Sequence, residues 1–336
     1  MLQFVSDWAY GKFGIVGAVV LFVIGLAALI KGGDWFVDGS VGIAKKFRVP
    51  ELLIGATIVS IGTTLPEVMV SATGAAKGMG DIAYGNAIGS VICNTALIAA
   101  VTVAVRPALV NKKALSLPVA CFFIAAVFYA CIAYFAGYFS RIVGIILLAM
   151  FVVYMVVTVI HAKKHPEEAE EEEAGGKELS TPKSIILLII GAALIAVGAN
   201  FLVDNGTVIA KALNVPDTVI ALTFVALGTS LPELVTAITS LIKGHGALSL
   251  GNVIGANIFN IVLVCGTAIT IKPFALPDGK LIGGMNASLV VDLPVMFLVM
   301  GLLTLPALIS GKLKRWQGLT LLLIYAGFVA LQFIGG

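Results

Sequence analysis

Apolar residues run along this chain in continuous blocks of roughly helix-spanning length, divided by short polar interruptions. A helix needs about 20 consecutive apolar residues to cross a bilayer. A strand would show alternation instead, and these runs do not alternate. Ten spans are predicted. The first five are Gly14–Ile30 with a polar extension, Leu52–Ala76, Ile82–Val105, Ala114–Ala136 and Ile142–Ile160. The second five are Ser184–Ala210, Thr218–Ile242, Ala247–Ile271, Ala287–Ile309 and Trp316–Phe333.

The pattern also repeats. From Gly33 to Pro107 the chain matches itself at a constant offset of 166 residues: Asp38 falls on Asp204, Pro66 on Pro232, Gly85-Asn86 on Gly251-Asn252, and Asn94 on Asn260. Residues 51–94 and 217–260 share 18 identities in 44 positions, which marks a duplication. Five spans per copy return the chain to the opposite side, so the second copy enters the membrane inverted. Inverted repeats of this kind belong to transporters, with a substrate site near the midplane where the halves meet. The expected fold is thus all-α and membrane-embedded, about ten helices in two inverted five-helix repeats. Residues 1–160 form the first repeat, 161–183 an acidic linker, and 184–336 the second.

Composition supports the membrane reading: 60% of residues are hydrophobic, only 12% are charged, and mean hydropathy is +1.08, against roughly a quarter charged in soluble domains. The start, "MLQFVSDWAYGKFG", lacks the basic stretch of a cleaved signal peptide. Cys93, Cys121, Cys131 and Cys265 fall in apolar segments and are expected as small buried hydrophobes. The linker "HAKKHPEEAEEEEAGGKELSTPK" reads as solvated; His161 and His165 have metal-ligand spacing but no further ligand nearby. Fourteen Lys and Arg lie on the side opposite the N-terminus against six on its own side. The positive-inside rule then puts both termini outside and the linker in the cytoplasm, with the cell (inner) membrane as location. No basic stripe with interleaved aromatics suggests nucleic acid. No cofactor motif and no protein partner are evident; the lipid bilayer and inorganic cations are the partners expected.

Two hexapeptides interrupt the apolar runs, "GTTLPE" at residues 62–67 and "GTSLPE" at 228–233. An ionisable group at membrane depth is costly and is a functional candidate by default. Pro66 lacks an N–H and crowds the carbonyl of Gly62. A helix broken there would leave backbone oxygens tolerable only beside a cavity or another partner, such as a cation. Thr63, Thr64 and Glu67 share one helix side, and the second copy offers Thr229, Ser230 and Glu233. An oxygen-rich locus with two carboxylates and no sulfur or imidazole suits Ca2+ or Na+. The segments that follow, "GNAIGSVICN" and "GNVIGANIFN", carry Gly85, Gly89, Gly251 and Gly255 for close backbone approach. Asn94 and Asn260 in them are either ligands or helix–helix hydrogen-bonding residues.

Both hexapeptides and the G-N-x-I-G-x-x-I-x-N that follows each resemble the two α-repeats of the cation/Ca2+ exchanger superfamily, especially its Na+/Ca2+ exchanger branch of prokaryotic type. The resemblance implies antiport, with Na+ entry driving Ca2+ out through a midplane site exposed alternately to each side. It implies as ligands Thr63, Thr64, Glu67, Ser90, Asn94, Thr229, Ser230, Glu233 and Asn260, with backbone carbonyls near Ser60 and Ala226. Two departures stand out: Ala256 where many relatives have a hydroxyl, and Asn260 where many have aspartate. Glu67 and Glu233 then balance one Ca2+.

Other classes are less well served. Gly78-Met79-Gly80-Asp81 matches the G-x-G-D of intramembrane aspartyl proteases, whose chemistry needs a second carboxylate close by. There is no nucleotide-binding G-x-x-x-x-G-K-[ST] for an ATP-driven pump, so no enzyme is expected. A passive cation channel and H+-driven or K+-dependent antiport remain alternatives. Asp38 and Asp204 are expected near helix ends as paired structural groups, Asp34 at a rim, and Asp292 as an isolated gate or packing residue, all away from the transported ion.

Overall fold

The computed structural model describes residues 2–164, 179–213, 228–279 and 281–333. Helices dominate it: α1 Leu2–Phe13, α2 Ile15–Phe47, α3 Glu51–Ala76, α4 Gly80–Val105, α5 Lys112–Phe135 and α6 Arg141–Lys164, followed by α7 Thr181–Ala212, α8 Leu231–Ile242, α9 Gly246–Ile271, α10 Ser288–Ser310 and α11 Arg315–Phe333. Eight of them, α2 to α7, α9 and α10, are long and apolar enough to cross a membrane. The apolar helices α8 and α11 occupy the places of the expected seventh and tenth spans. Residues 214–227, the first part of the expected seventh span, lie outside the described residues, as does 165–178 of the linker.

The polar extension expected beyond Ile30 is helical: α2 continues to Phe47, so at about 1.5 Å per residue it is roughly 50 Å long. The cause is its glycine row. A side chain at Gly25 would sit 3.0 Å from the Gly198 carbonyl, and one at Gly32 would sit 2.9 Å from the Gly191 carbonyl. Helix α7, 32 residues long, therefore lies backbone to backbone along α2. The linker also narrows, because α6 runs through His161 to Lys164 and α7 begins at Thr181. His161 thus belongs to a helix end, while His165 is outside the described residues.

The molecule is layered by exposure. In their most apolar windows α4 and α9 are 72% and 78% buried, whereas α2, α6 and α7 are only 28%, 28% and 22% buried and turn large hydrophobics outward. The outward residues suit lipid, and α4 and α9 form the centre. Cys93 and Cys265 are buried there, but Cys131 is exposed and Cys121 partly so, contrary to the uniform burial expected. At one rim Lys243 Nζ reaches Asp38 at 2.8 Å and Asp34 at 3.4 Å, and His245 Nδ1 meets Glu51 Oε1 at 2.9 Å. Asp34 and Asp38 are structural here, as their rim positions suggest.

The two sequence copies grip each other by matching devices. Short strand β1 (Ala108–Leu109) pairs with β6 (Lys312–Leu313), and β3 (Phe274–Ala275), its equivalent at the 166 offset, pairs with β2 (Tyr138–Phe139). Arg315 donates to the Ala104 and Val105 carbonyls at 2.8 and 3.3 Å; Arg141 donates to Thr270 and Ile271 at 3.1 and 3.4 Å. Those carbonyls are again 166 apart. Each arginine opens its helix and satisfies the last turn of a helix from the other copy, where unpaired carbonyls collect. Strands β4 (Leu281–Ile282) and β5 (Met285–Asn286) form a small hairpin over Gly283-Gly284, whose φ angles of 59° and 80° require glycine.

Candidate cation site

Four buried elements carry the polar residues singled out by sequence: α3, α4, α8 and α9. Helix α3 contains a wide π-helical segment at Gly55–Val59, and matching π segments occur at Asn94–Ala99 in α4 and Asn260–Cys265 in α9. A π turn carries one residue too many for the i→i+4 ladder and often marks a functional position. In α3 the loosened carbonyls find partners: Gly55 O accepts from Ser60 Oγ at 2.8 Å, and Ala56 O from the Tyr154 hydroxyl at 2.8 Å. The other two π segments each begin at a candidate ligand, Asn94 or Asn260. The first packs against α8 and the second against the Ser60–Ala76 part of α3, so each lies beside the other copy's hexapeptide.

The hexapeptides themselves differ. The expectation of two helices broken at the prolines fails in the first copy, where helix continues from Ser60 to Ala76 with Pro66 inside it. Neighbouring helices and hydroxyls re-satisfy backbone freed by proline at membrane depth, so a break is not required. The second copy does begin a helix here. Ser230 is the residue before α8, with φ −91° and ψ 5°, and Pro232 sits in the first turn, where a missing N–H is harmless.

Close packing of α3 on α9 sets the spacing. A side chain at Gly251 would strike the Leu52 carbonyl, and one at Gly255 would strike Ala56 and the Ser60 hydroxyl. The corresponding Gly85 and Gly89 have no such neighbour among the described residues; they line a cavity of about 330 Å3 with Asp81, Tyr84, Ser288 and Asp292. Asp81 opens α4 and so lies at a helix end, yet it does share that cavity with a second acid.

At the centre, Glu67 and Glu233 are fully buried and close enough to interact electrostatically. Thr64 Oγ1 lies 3.4 Å from Glu233 Oε1, and Thr63 also faces that carboxylate. Thr63, Thr64, Ser90 and Ser230 are buried, and Thr229 is partly so. Among the described residues Asn94 has no partner for either amide atom, and Asn260 donates only to the Ala256 carbonyl of its own helix, at 3.0 Å. Among the described residues neither makes the helix–helix hydrogen bond considered for it. The Ser60 hydroxyl is engaged with Gly55 and Asn252, while its carbonyl lies 3.5 Å from Thr63 Oγ1. Ala226 lies outside the described residues.

Six buried oxygens of these residues lack a hydrogen-bond partner among the described residues: both of Glu67, one of Glu233, and those of Ser230, Asn94 and Asn260. An unpaired buried polar atom costs about 1–3 kcal/mol and a charged one more, so the described part of this locus holds oxygens that still call for a partner. A hard cation is a partner that such a set of carboxylates, hydroxyls and amides suits. Ca2+ takes about 6–8 oxygens.

Sequence reasoning does not single out two residues of this neighbourhood, Asn86 and Asn252, although the repeat displays both. Thr63 Oγ1 lies 3.2 Å from Asn252 Oδ1, and Thr229 Oγ1 lies 3.5 Å from Asn86 Oδ1. Their signal is the second letter of both "GN" pairs.

Comparison with known proteins agrees with this geometry. The family model described as sodium/calcium exchanger protein matches residues 17–160 and 183–334. The uncharacterized membrane protein MJ0091 of Methanocaldococcus jannaschii is 36% identical over 317 residues, covering 93% of this chain and 96% of that one. The sodium/calcium exchanger MaX1 of Methanosarcina acetivorans is 32% identical over 350 residues, covering 94% and 98%. A solved structure of the sodium-calcium exchanger NCX_Mj, soaked with 2.5 mM Na+ and 10 mM Sr2+, superposes with a TM-score of 0.80 at 34% identity over 94% of this chain and 99% of that one. The chain belongs to the sodium/calcium exchanger family, a family of transporters within the cation/Ca2+ exchanger superfamily, and is a multi-pass membrane antiporter of inorganic cations.

Proposed function

We propose that this protein exchanges Na+ for Ca2+, using Na+ entry to drive Ca2+ out of the cell by alternating access at the site between α3, α4, α8 and α9. The observation that carries the proposal is the pair of buried carboxylates, one from each sequence copy, surrounded by oxygens that have no partner among the described residues. Two formal charges balance one Ca2+, and the neutral oxygens of Thr63, Thr64, Ser90, Asn94, Thr229, Ser230 and Asn260 complete its shell, with the carbonyls of Ser60 and Ala226. Na+ uses the same hard ligands. Competition between the two ions for one set of oxygens then couples their fluxes, because the carboxylate pair is offset either by one Ca2+ or by more than one Na+, and not by both at once.

The architecture proposed is ten spans in two inverted repeats, residues 1–160 and 184–336, joined by the cytoplasmic linker, with both termini outside the cell membrane. The exchanged strands and the two arginine caps support it, since each device in one copy has its counterpart in the other. The solved NCX_Mj structure concerns extracellular ion exchange and induced binding-site occlusion in that protein, and the same two events are what alternating access requires here.

The site is tested by Glu67→Gln and Glu233→Gln, which keep shape and remove charge. Each is expected to weaken Ca2+ binding by at least about 30-fold, the low end for removing one partner of a buried charge pair, in a protein that still folds. Titration calorimetry on purified protein reads the change; wild-type Ca2+ affinity in either variant would put the site elsewhere.

A further inference from the structure

A hydroxyl has one hydrogen and two lone pairs, and it ligates a cation well only when that hydrogen is directed elsewhere. Thr63 Oγ1 has two acceptors within reach, Asn252 Oδ1 at 3.2 Å and the Ser60 carbonyl at 3.5 Å, and the Glu233 carboxylate is nearby. Were the hydrogen given to Glu233, it would occupy a carboxylate lone pair that a cation needs. Asn252 is fully buried, and its Oδ1 is nearer to Thr63 Oγ1 than the Ser60 carbonyl is, while also lying 3.4 Å from Ser60 Oγ. The same relation holds with the copies exchanged, for Thr229 faces Asn86 Oδ1 and both pairs are related by the 166 offset.

The orientation of Asn86 is fixed by its other end. Its Nδ2 donates to Ser71 Oγ at 2.9 Å and to the Glu67 carbonyl at 3.2 Å, which leaves Oδ1 for the threonine. The position equivalent to Ser71 is Ala237, and Nδ2 of Asn252 accordingly has no partner among the described residues. The two asparagines therefore share one task and differ in their supports.

Resting on the ligand reading above, we infer that Asn86 and Asn252 are positioning residues, each accepting the hydroxyl hydrogen of the other copy's threonine so that the threonine oxygen turns its lone pairs to the cation. Each bond crosses between the copies, so assembly of the ligand shell depends on how the two halves are packed. Asn252 performs this with its oxygen alone, whereas Asn86 needs both amide atoms.

The test measures Ca2+-dependent flux in vesicles and Ca2+ binding to the purified protein for a small set of variants. Asn252→Ala should raise the half-saturating Ca2+ concentration roughly tenfold, the effect of one hydrogen bond to a buried group, with little change in maximal rate. Asn252→Asp, which keeps the acceptor, should restore half-saturation to the wild-type value or below. Asn86→Asp should not rescue Asn86→Ala, because it sets a carboxylate oxygen against the Glu67 carbonyl in place of the donor that holds the side chain. In a Thr63→Val background Asn252→Ala should add nothing further. Asn252→Leu, which fills the volume without an acceptor, gives the same reading if the alanine variant fails to fold. Unchanged half-saturation in Asn252→Ala, an aspartate no better than alanine, or effects of Asn252→Ala and Thr63→Val that multiply would each overturn the inference. A wild-type protein that does not bind Ca2+ would overturn the ligand reading itself.

Discussion

Asn260 is the residue at which this chain's chemistry is most its own. An amide offers its carbonyl oxygen to a cation and cannot change charge; Asn94 stands at the equivalent place and both are buried, so in the proposed site each copy contributes one carboxylate and one amide. Asn260→Asp would put a third carboxylate beside Glu67 and Glu233 in a low-dielectric site, where like charges repel strongly. A proton or an additional cation is then drawn in to offset the repulsion. Ca2+ flux by the variant is expected to depend more steeply on pH and on added K+ than flux by the parent protein. Titrations of both forms check this, and superimposable curves would mean that Asn260 is outside the ion cluster. The Glu, Thr and Asn of the site were legible as residues because polar groups stand out in apolar runs and occur twice. Their hydrogen-bond partners were not, since which hydroxyl meets which amide depends on packing between helices far apart in the chain.

Among the elements, the contact of α3 with α9 carries the site. It works because Gly55, Gly251 and Gly255 let two backbones meet, with the Leu52 carbonyl and Ser60 hydroxyl in the space that side chains would fill. Gly251→Ala or Gly255→Ala must push the helices apart, and overpacking of this kind costs about 1–3 kcal/mol. Either change should lower the thermal unfolding temperature in detergent and weaken Ca2+ binding together, because α9 carries Asn260 and α3 carries Glu67. Loss of stability with unaltered binding would separate the packing from the site. Periodicity and length made most of the helices legible, the polar extension of α2 among them, but two features escaped them. The π segments have no local sequence signature, and the helix through Pro66 is sustained by neighbours that no single stretch contains.

For the whole molecule, the duplication predicts that whatever one half does at one face of the membrane the other does at the opposite face. The reciprocal Arg141 and Arg315 caps and the exchanged strand pairs fit that expectation, each tying the end of one copy's helix to the start of another's. Arg315→Ala leaves the last carbonyls of α4 without their donor, and Arg141→Ala does the same for α9. Each should destabilise the protein by about 1 kcal/mol, typical of one net hydrogen bond, and by similar amounts, as thermal unfolding of the two variants would show. A clear loss in one and none in the other would contradict the equivalence of the two caps. The central claim is coupled counter-transport, and it is tested most directly by Ca2+ uptake into vesicles containing the purified protein, loaded with Na+ and diluted into Na+-free medium. Uptake should require the outward Na+ gradient, collapse when Na+ is equal on both sides, and not be replaced by an outward H+ gradient. Uptake that proceeds equally with and without the Na+ gradient, or that follows the H+ gradient instead, would contradict that claim.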